Sequence, residues 1–164
     1  MRMNGQTIVH ELALQEAVRW QMDAIVRGAN ADAALLEGSD MQKNQIRNVL
    51  NVAEESHSLA VVTNFIRYQL GRSQTGPAWR RNGFGARVIG QIELPDGLIA
   101  RQTKAVLERL QAKLGQMSPE MADEVRYELM RYYLGYLHRA YYYGSETKQW
   151  VNLRQTGGEE TQDV

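Results

Sequence analysis

The chain has 164 residues, no cysteine, and equal numbers of basic and acidic side chains, 19 of each. The missing cysteine excludes disulfides and thiolate chemistry, and the zero net charge argues against a free-standing, histone-like binder of nucleic acid. No apolar run is long enough to span a membrane, and the N-terminus lacks the pattern of a signal peptide. We therefore expect a cytoplasmic protein that contacts no membrane.

The first predicted helix covers residues 6–27, where apolar side chains recur at helical spacing and neither Gly nor Pro interrupts them. The triplet Gly-Ala-Asn at 28–30 is typical of a helix end and predicts that the helix stops there. Residues 31–38 are rich in alanine, and we expect them to form one short helical turn before Gly38.

Two shorter helices are predicted next. The first begins at Ser39 or Asp40, because either side chain can accept hydrogen bonds from the exposed N–H groups of a helix start. It carries apolar residues at helical spacing and ends before the polar break at 56–58. The second covers residues 59–70 and ends at Gly71.

Residues 72–97 differ from the segments around them because turn-forming residues interrupt them repeatedly. These interruptions are Gly76-Pro77, Asn82-Gly83 and Pro95-Asp96-Gly97. We predict a long loop over residues 73–97, anchored at its centre by a few apolar side chains. A loop of that length in a compact domain is usually functional or disordered.

Two further helices complete the predicted fold. One begins at Asp96 or Leu98 and ends before Gly115. The last begins at Ser118, a capping residue followed by proline at the first helical position, and extends to about Tyr143. It holds seven of the eight tyrosines and is apolar on most sides. Such a helix is either central to its own bundle or covered by a partner.

The sequence as a whole predicts an all-α bundle of about five helices. We expect a single helical domain over residues 1–150 and a polar, acidic, disordered tail over residues 151–164. The chain contains no P-loop, no dinucleotide-binding fingerprint and no pair of histidines at metal-ligand spacing. We therefore expect a protein that uses neither a cofactor nor a metal.

Basic side chains are concentrated in one part of this neutral chain. Residues 56–92 contain no Asp or Glu but five arginines, which are Arg67, Arg72, Arg80, Arg81 and Arg87. Lys43 and Arg47 lie one helical turn apart on the preceding helix. Guanidinium groups match phosphate oxygens, and phosphate contacts dominate the affinity of proteins for nucleic acids. We predict that these seven side chains bind a nucleic-acid backbone.

Two aromatic residues, Trp79 and Phe84, accompany these arginines and offer flat faces on which bases or guanidinium groups can stack. The alternative is that the arginines pair with carboxylates from other helices. The first forty residues are rich in acidic side chains and can supply such partners.

A second interpretation concerns Arg131 and His138, which lie seven positions apart and so share one face of the last predicted helix. The pair resembles the Arg-x(4–6)-His motif of HEPN-type ribonucleases. In those enzymes the two residues meet across a dimer, activate a ribose 2′-hydroxyl and stabilise the phosphate. The motif's usual small polar residue after Arg is Tyr132 here, and a solvated helix face explains the pair equally simply.

Three segments occur in an informative order. Gln45-Ile46-Arg47 opens a helix after a polar cap, Tyr68-Gln69-Leu70-Gly71-Arg72 closes the next helix, and residues 132–143 form a Tyr-rich final helix. They resemble the (Ser/Asn)-Gln-Ile-Arg helix, the Tyr-x-x-Gly-Arg helix end and the aromatic closing helix of the small subunit of type III-A CRISPR effector complexes. The resemblance covers residues 40–72 and 120–144. The first forty residues and the predicted 73–97 loop depart from it, which indicates a divergent subtype.

The resemblance implies an all-helical, non-catalytic subunit that stacks along a filament of RNA-binding backbone subunits. Its partners would be guide RNA, target RNA, the backbone and large subunits, and neighbouring copies of itself. The positions that match the family's basic helices are Lys43, Arg47, Arg67 and Arg72. Arg80, Arg81 and Arg87 follow from composition alone. The acidic first helix and the Tyr-rich helix would face protein neighbours. A helical protein–protein adaptor without RNA contact is the remaining alternative.

Overall fold

The structure is a computed structural model that describes residues 5–156, and every regular element in that range is helical. The elements in chain order are α1 (Gly5–Arg19), α2 (Met22–Ala34), α3 (Lys43–Ser56), α4 (Leu59–Gly71), α5 (Gly76–Arg80), a 3-10 turn (Arg81–Gly83), α6 (Phe84–Glu93), α7 (Leu98–Leu114), α8 (Pro119–Thr147) and α9 (Trp150–Thr156). The predicted all-α fold is confirmed. No helix in this range is long and apolar enough to cross a membrane.

Helix α8 forms the axis of the bundle, because α2, α3, α7 and α9 all pack against it. It begins as the sequence predicts, with the Ser118 hydroxyl accepting the N–H of Met121 at 3.2 Å and Pro119 in the first turn. Its buried side chains include Leu129 and Tyr133. This central position accounts for the apolar character of the helix on most of its sides.

The predicted first helix is in fact two helices, α1 and α2, which separate at residues 20–21. Helix α2 continues through the triplet that was predicted to end it. Gly28 lies inside α2, where Leu98 packs so closely that a Cβ would overlap its side chain. Ala29 and Ala33 are fully buried, and their small side chains let neighbouring helices approach α2. The glycine and the alanines therefore serve helix packing rather than helix termination.

The predicted long loop over residues 73–97 is wrong, because the segment folds into α5, the 3-10 turn and α6. The turn-forming residues mark helix boundaries instead. Pro77 lies in the first turn of α5, and Asn82 and Gly83 take left-handed backbone angles, φ 49° and 72°, where α6 begins. Within residues 73–97, only 73–75, before α5, and 94–97, between α6 and α7, remain outside a helix.

The C-terminal part of the described chain forms a helix that the sequence did not predict. Helix α9 occupies the first residues of the predicted tail, and its Trp150 and Leu153 are buried against the bundle. A Cβ at Gly144 of α8 would overlap the Trp150 ring, so a glycine is needed for α9 to pack there. The remainder of the predicted tail, residues 157–164, lies outside the described residues.

A buried carboxylate, Asp32 of α2, joins four helices. It accepts hydrogen bonds from the Tyr133 hydroxyl of α8 at 2.6 Å and from the Gln91 amide of α6 at 2.9 Å. The Nε of Arg87 donates a third at 3.1 Å. Gln91 also accepts the backbone N–H of Leu98, the first residue of α7, at 3.0 Å. Burial, followed by the Asp32 charge, raises the pKa of Tyr133, which therefore remains a protonated donor.

Candidate nucleic-acid interface

Helices α3 and α4 are joined by a short turn and pack against each other, and α3 also lies along α8. The start of α3 is held by Gln45, whose side-chain oxygen accepts the backbone N–H of Gln42 at 3.3 Å and whose own N–H donates to the Gln42 carbonyl at 3.0 Å. At the turn His57 takes a left-handed backbone (φ 51°). Helix α4 then starts at Ser58, whose hydroxyl accepts the N–H of Val61 at 3.2 Å. These caps set which side chains of the hairpin face solvent.

The basic residues of α3 face α8. The Nζ of Lys43 lies 4.1 Å from the centre of the Tyr142 ring. Arg47, one turn further along α3, lies near His138. Burial, followed by the positive charges of Arg47 and Arg139, lowers the pKa of His138, so the imidazole tends to be neutral. The side chain of Arg47 forms no hydrogen bond or ion pair with any residue in the range 5–156.

The outward side of α3 carries a row of amides. Asn44, Asn48 and Asn51 are exposed, and their spacing of four and three residues places them along one line. No acidic residue occurs between positions 43 and 53, and none occurs in α4. Amide groups both donate and accept hydrogen bonds, and they do so without adding negative charge.

Tyr68 and Arg72 lie at the C-terminal end of α4, the helix that packs against α3. Tyr68 is 60% exposed, and the Cζ of Arg72 lies 5.4 Å from the centre of its ring. Tyr68 lies about 100° further round the helix than Arg67, which points toward α6. Arg72 is the C-cap of α4, and its guanidinium has no carboxylate partner in the described part of the chain.

We call this surface the α3–α4 face. Its members are Lys43, Asn44, Arg47, Asn48, Asn51, Tyr68, Arg72 and, from α8, Tyr142. It combines cations, amides and exposed aromatic rings on an acid-free part of the hairpin.

Arg67 does not belong to the α3–α4 face. Its guanidinium donates two hydrogen bonds to Glu93 of α6, at 2.8 and 2.7 Å. This guanidinium and, to a smaller extent, the Thr63 hydroxyl lower the pKa of Glu93 to about 2. The structure therefore does not bring Arg67 together with Lys43 and Arg47, the residues with which the helical pattern grouped it.

Acid titration will report on the pair formed by Arg67 and Glu93. Because the pKa of Glu93 falls from 4.5 to about 2 on folding, its ionised form stabilises the fold above about pH 4.5. That contribution is lost as the pH falls toward 2. We expect the difference in Tm between wild type and Glu93→Gln to be largest at neutral pH and to shrink across this window. Thermal melts followed by circular dichroism measure the two Tm values. A Tm difference that does not change with pH would contradict a stabilising ion pair between Arg67 and Glu93.

Two more of the predicted residues pair with carboxylates. The Nε of Arg87 donates to the buried Asp32 at 3.1 Å, and Lys43 forms an ion pair with Glu146 of α8. With Arg67, three of the seven predicted residues thus have acidic partners on other helices. For these three residues the alternative holds, namely that the basic side chains pair with carboxylates from other helices.

Arg80 and Arg81 lie at the end of the bundle and donate to helix C-termini. Arg80 donates to the carbonyl of Leu70, in the last turn of α4, at 2.5 Å. Arg81 donates to the carbonyl of Glu37, just beyond α2, at 3.2 Å. A cation in that position satisfies a free carbonyl and offsets the negative end of the helix dipole. Both arginines are exposed and form no ion pair in the described range.

The prediction that Trp79 and Phe84 offer stacking faces is wrong. Their side chains are 1% and 0% exposed, and the two rings pack together with their centres 5.4 Å apart. They anchor α5 to α6. The exposed rings next to the cations are those of Tyr68 and Tyr142. The sequence could have indicated the ring of Tyr68, because Tyr68 and Arg72 are four residues, about one helical turn, apart.

Arg131 and His138 lie two turns apart on α8, but they have different neighbours. Arg131 donates to Glu128 at 2.8 Å, and its Cζ lies 4.8 Å from the centre of the Tyr132 ring. The His138 ring lies edge-on to Tyr142, with the ring centres 6.4 Å apart. The charge of Arg131 is therefore already balanced by a carboxylate.

Comparison of the chain with models of protein families, with curated proteins and with solved structures found no match. Among residues 5–156, no group of three His, Asp or Glu side chains is placed to hold a metal ion. The function of the α3–α4 face therefore has to be inferred from its own residues.

Proposed function

We propose that the chain is a non-catalytic, RNA-binding subunit of a type III CRISPR effector complex and that its α3–α4 face binds the RNA backbone. The observation that carries the proposal is that Arg47 and Arg72 lie on an acid-free surface without a carboxylate partner in the described residues. Phosphate oxygens are the natural partners of such guanidinium groups. The resemblance supports the same surface, because the motifs at 45–47 and 68–72 both contribute to it.

The seven predicted residues are expected to contribute unequally to RNA binding. Arg47 and Arg72 contact phosphates directly. A more distant electrostatic contribution comes from Arg80 and Arg81, which form no ion pair in the described range. Less is expected from the three cations whose charges are already balanced by carboxylates, Lys43, Arg67 and Arg87.

The proposal includes the partners that the resemblance implies. These are guide and target RNA, the backbone and large subunits, and neighbouring copies of the chain, in a cytoplasmic complex for antiviral defence. Zero net charge fits a protein that binds RNA as part of an assembly, because the other subunits also supply positive charge. The side of α1 that carries the exposed Ile8 and Leu12 would face a protein neighbour.

Fluorescence anisotropy with a labelled RNA of about 20 nucleotides, longer than many single-domain binding sites, tests RNA binding. We expect the purified protein to bind at low ionic strength and the affinity to fall as salt is added, because phosphate contacts release counterions. We expect the RNA to stay intact, since Arg131 is paired with Glu128. Absence of binding at low salt would refute the proposal, and cleavage that disappears in His138→Ala would favour the ribonuclease alternative.

The adaptor alternative is favoured by one observation. Ile8, Val9 and Leu12 form an exposed apolar stripe on α1, which is typical of a protein-binding helix. An adaptor without RNA contact predicts that the native complex carries no nucleic acid. The ratio of absorbance at 260 nm to that at 280 nm, measured on the complex purified from its source, distinguishes the two. An absorbance ratio equal to that of protein without nucleic acid would favour the adaptor.

A further inference from the structure

Two tyrosines project from opposite edges of the α3–α4 face. Tyr68 is 60% exposed and Tyr142 is 50% exposed, and neither hydroxyl has a hydrogen-bond partner in the described residues. Other tyrosines of the chain serve the fold. Tyr133 and Tyr141 are buried and donate to Asp32 and to the Met41 carbonyl, respectively. The hydroxyl groups of Tyr68 and Tyr142 thus have no comparable role in the described fold, and their rings stay accessible, although that of Tyr142 also lies edge-on to His138.

Each exposed ring has a cation beside it. The Nζ of Lys43 lies 4.1 Å from the centre of the Tyr142 ring, and the Cζ of Arg72 lies 5.4 Å from that of Tyr68. A base that stacks on Tyr68 would therefore lie beside the guanidinium of Arg72, which has no carboxylate partner in the described residues. A base on Tyr142 would lie beside Lys43, which also pairs with Glu146. Alternation of flat rings and cations is the usual composition of surfaces that bind single-stranded nucleic acid.

The region between the two rings can contact bases without reading a sequence. The exposed amides of Asn44, Asn48 and Asn51 lie along α3 between the α8 and α4 sides of the face. They can donate to and accept from the edges of unpaired bases. In an RNA duplex these edges are paired and the ring faces are stacked, so a duplex would meet the cations but could not use the tyrosines.

We infer that the α3–α4 face binds single-stranded RNA and that Tyr68 and Tyr142 stack on its bases. This inference rests on the proposed function, and it specifies the class of RNA. It assigns the exposed tyrosines a role that phosphate binding alone does not require.

The experiment compares one labelled RNA strand of about 20 nucleotides with the same strand annealed to its complement. Binding is measured by fluorescence anisotropy for wild type, Tyr68→Leu and Tyr142→Leu. Tyr68→Phe keeps the ring and is the first control. Tyr143→Leu is the second, because this neighbour of Tyr142 faces α9, where its hydroxyl accepts from Asn152 at 2.8 Å. Thermal melts verify that every variant is folded.

We expect the wild type to bind the single strand more tightly than the duplex. Each leucine variant should weaken binding of the single strand about tenfold, the typical loss when one base-stacking ring is removed. Both controls should bind like wild type. Equal affinity for the two RNAs, together with leucine variants that bind like wild type, would overturn this inference and leave backbone binding intact. Absence of binding to either RNA would overturn both.

Discussion

Replacement of Arg47 and Arg72 together by glutamine is expected to weaken RNA binding by about a hundredfold or more while leaving the fold intact. Neither side chain has a carboxylate partner in the described residues, so no internal ion pair is lost. Each lost charge-assisted hydrogen bond to phosphate costs about 1.5 kcal/mol or more. The slope of log affinity against log salt concentration should also decrease by about 1.4, because two phosphate contacts on a single strand are removed. Anisotropy titrations at several salt concentrations measure both effects.

The matched control removes two positive charges outside the α3–α4 face. Arg67→Gln with Arg101→Gln changes the net charge by the same amount, but Arg67 is paired with Glu93 and Arg101 lies on α7. We expect this variant to bind RNA nearly as well as wild type. If the control loses as much affinity as the Arg47 and Arg72 variant, binding depends on total charge and the α3–α4 face has no special role.

Asp32→Ala is expected to have the largest effect on stability, lowering the free energy of unfolding by about 3–5 kcal/mol. The substitution leaves the Tyr133 hydroxyl and the Gln91 amide buried without their acceptor. It also weakens the link from Gln91 to the start of α7. For a chain of this size that loss corresponds to a decrease in Tm of about 10 °C. Chemical and thermal unfolding followed by circular dichroism measure both quantities.

Two further variants show whether the Asp32 network is responsible. Asp40→Ala removes an exposed carboxylate without a side-chain partner in the described range and should change stability by less than about 0.5 kcal/mol. Tyr133→Phe removes one of the three donors to Asp32 and should cost about 1–2 kcal/mol. If the free energy of unfolding of Asp32→Ala equals that of Asp40→Ala, the buried carboxylate does not hold the four helices together.

Helices with local start and stop signals could be predicted from the sequence. Ser118 acts as the N-cap of α8, and Gly115 ends α7 with a left-handed backbone. The predicted cap of α3, Ser39 or Asp40, is wrong, because the N-cap is Gln42. The predicted helix boundaries are wrong where a residue packs against a distant part of the chain. Gly28 looks like a helix end, but it makes room for Leu98 inside a continuous helix. No local pattern distinguishes these two uses of glycine.

Short helices were missed for a related reason. The proline and glycine residues in 73–97 predict a loop, although they lie at or near the ends of α5 and α6. Both helices are too short to be stable alone. Their stability depends on burying Trp79 and Phe84 against the bundle, which the sequence around them does not reveal. Burial of Trp150 has the same role for α9.

The basic composition of the candidate site could be predicted, but its internal pairing could not. Arg67 and Glu93 are 26 positions apart, and Arg87 and Asp32 are 55 positions apart. Such pairs form only when the helices pack, so counting charges along the chain overestimates the free cations. The structure leaves the α3–α4 face as the part of the basic segment with unbalanced charge and exposed aromatic rings.

Photo-crosslinking of the RNA-bound protein, followed by mass spectrometry, tests most directly where RNA lies. Our account predicts crosslinked nucleotides on peptides from α3 (Lys43–Ser56) and α4 (Leu59–Gly71), with Tyr68 among the modified residues. Crosslinks confined to α6 and α7, or their absence under conditions in which RNA binds, would contradict it.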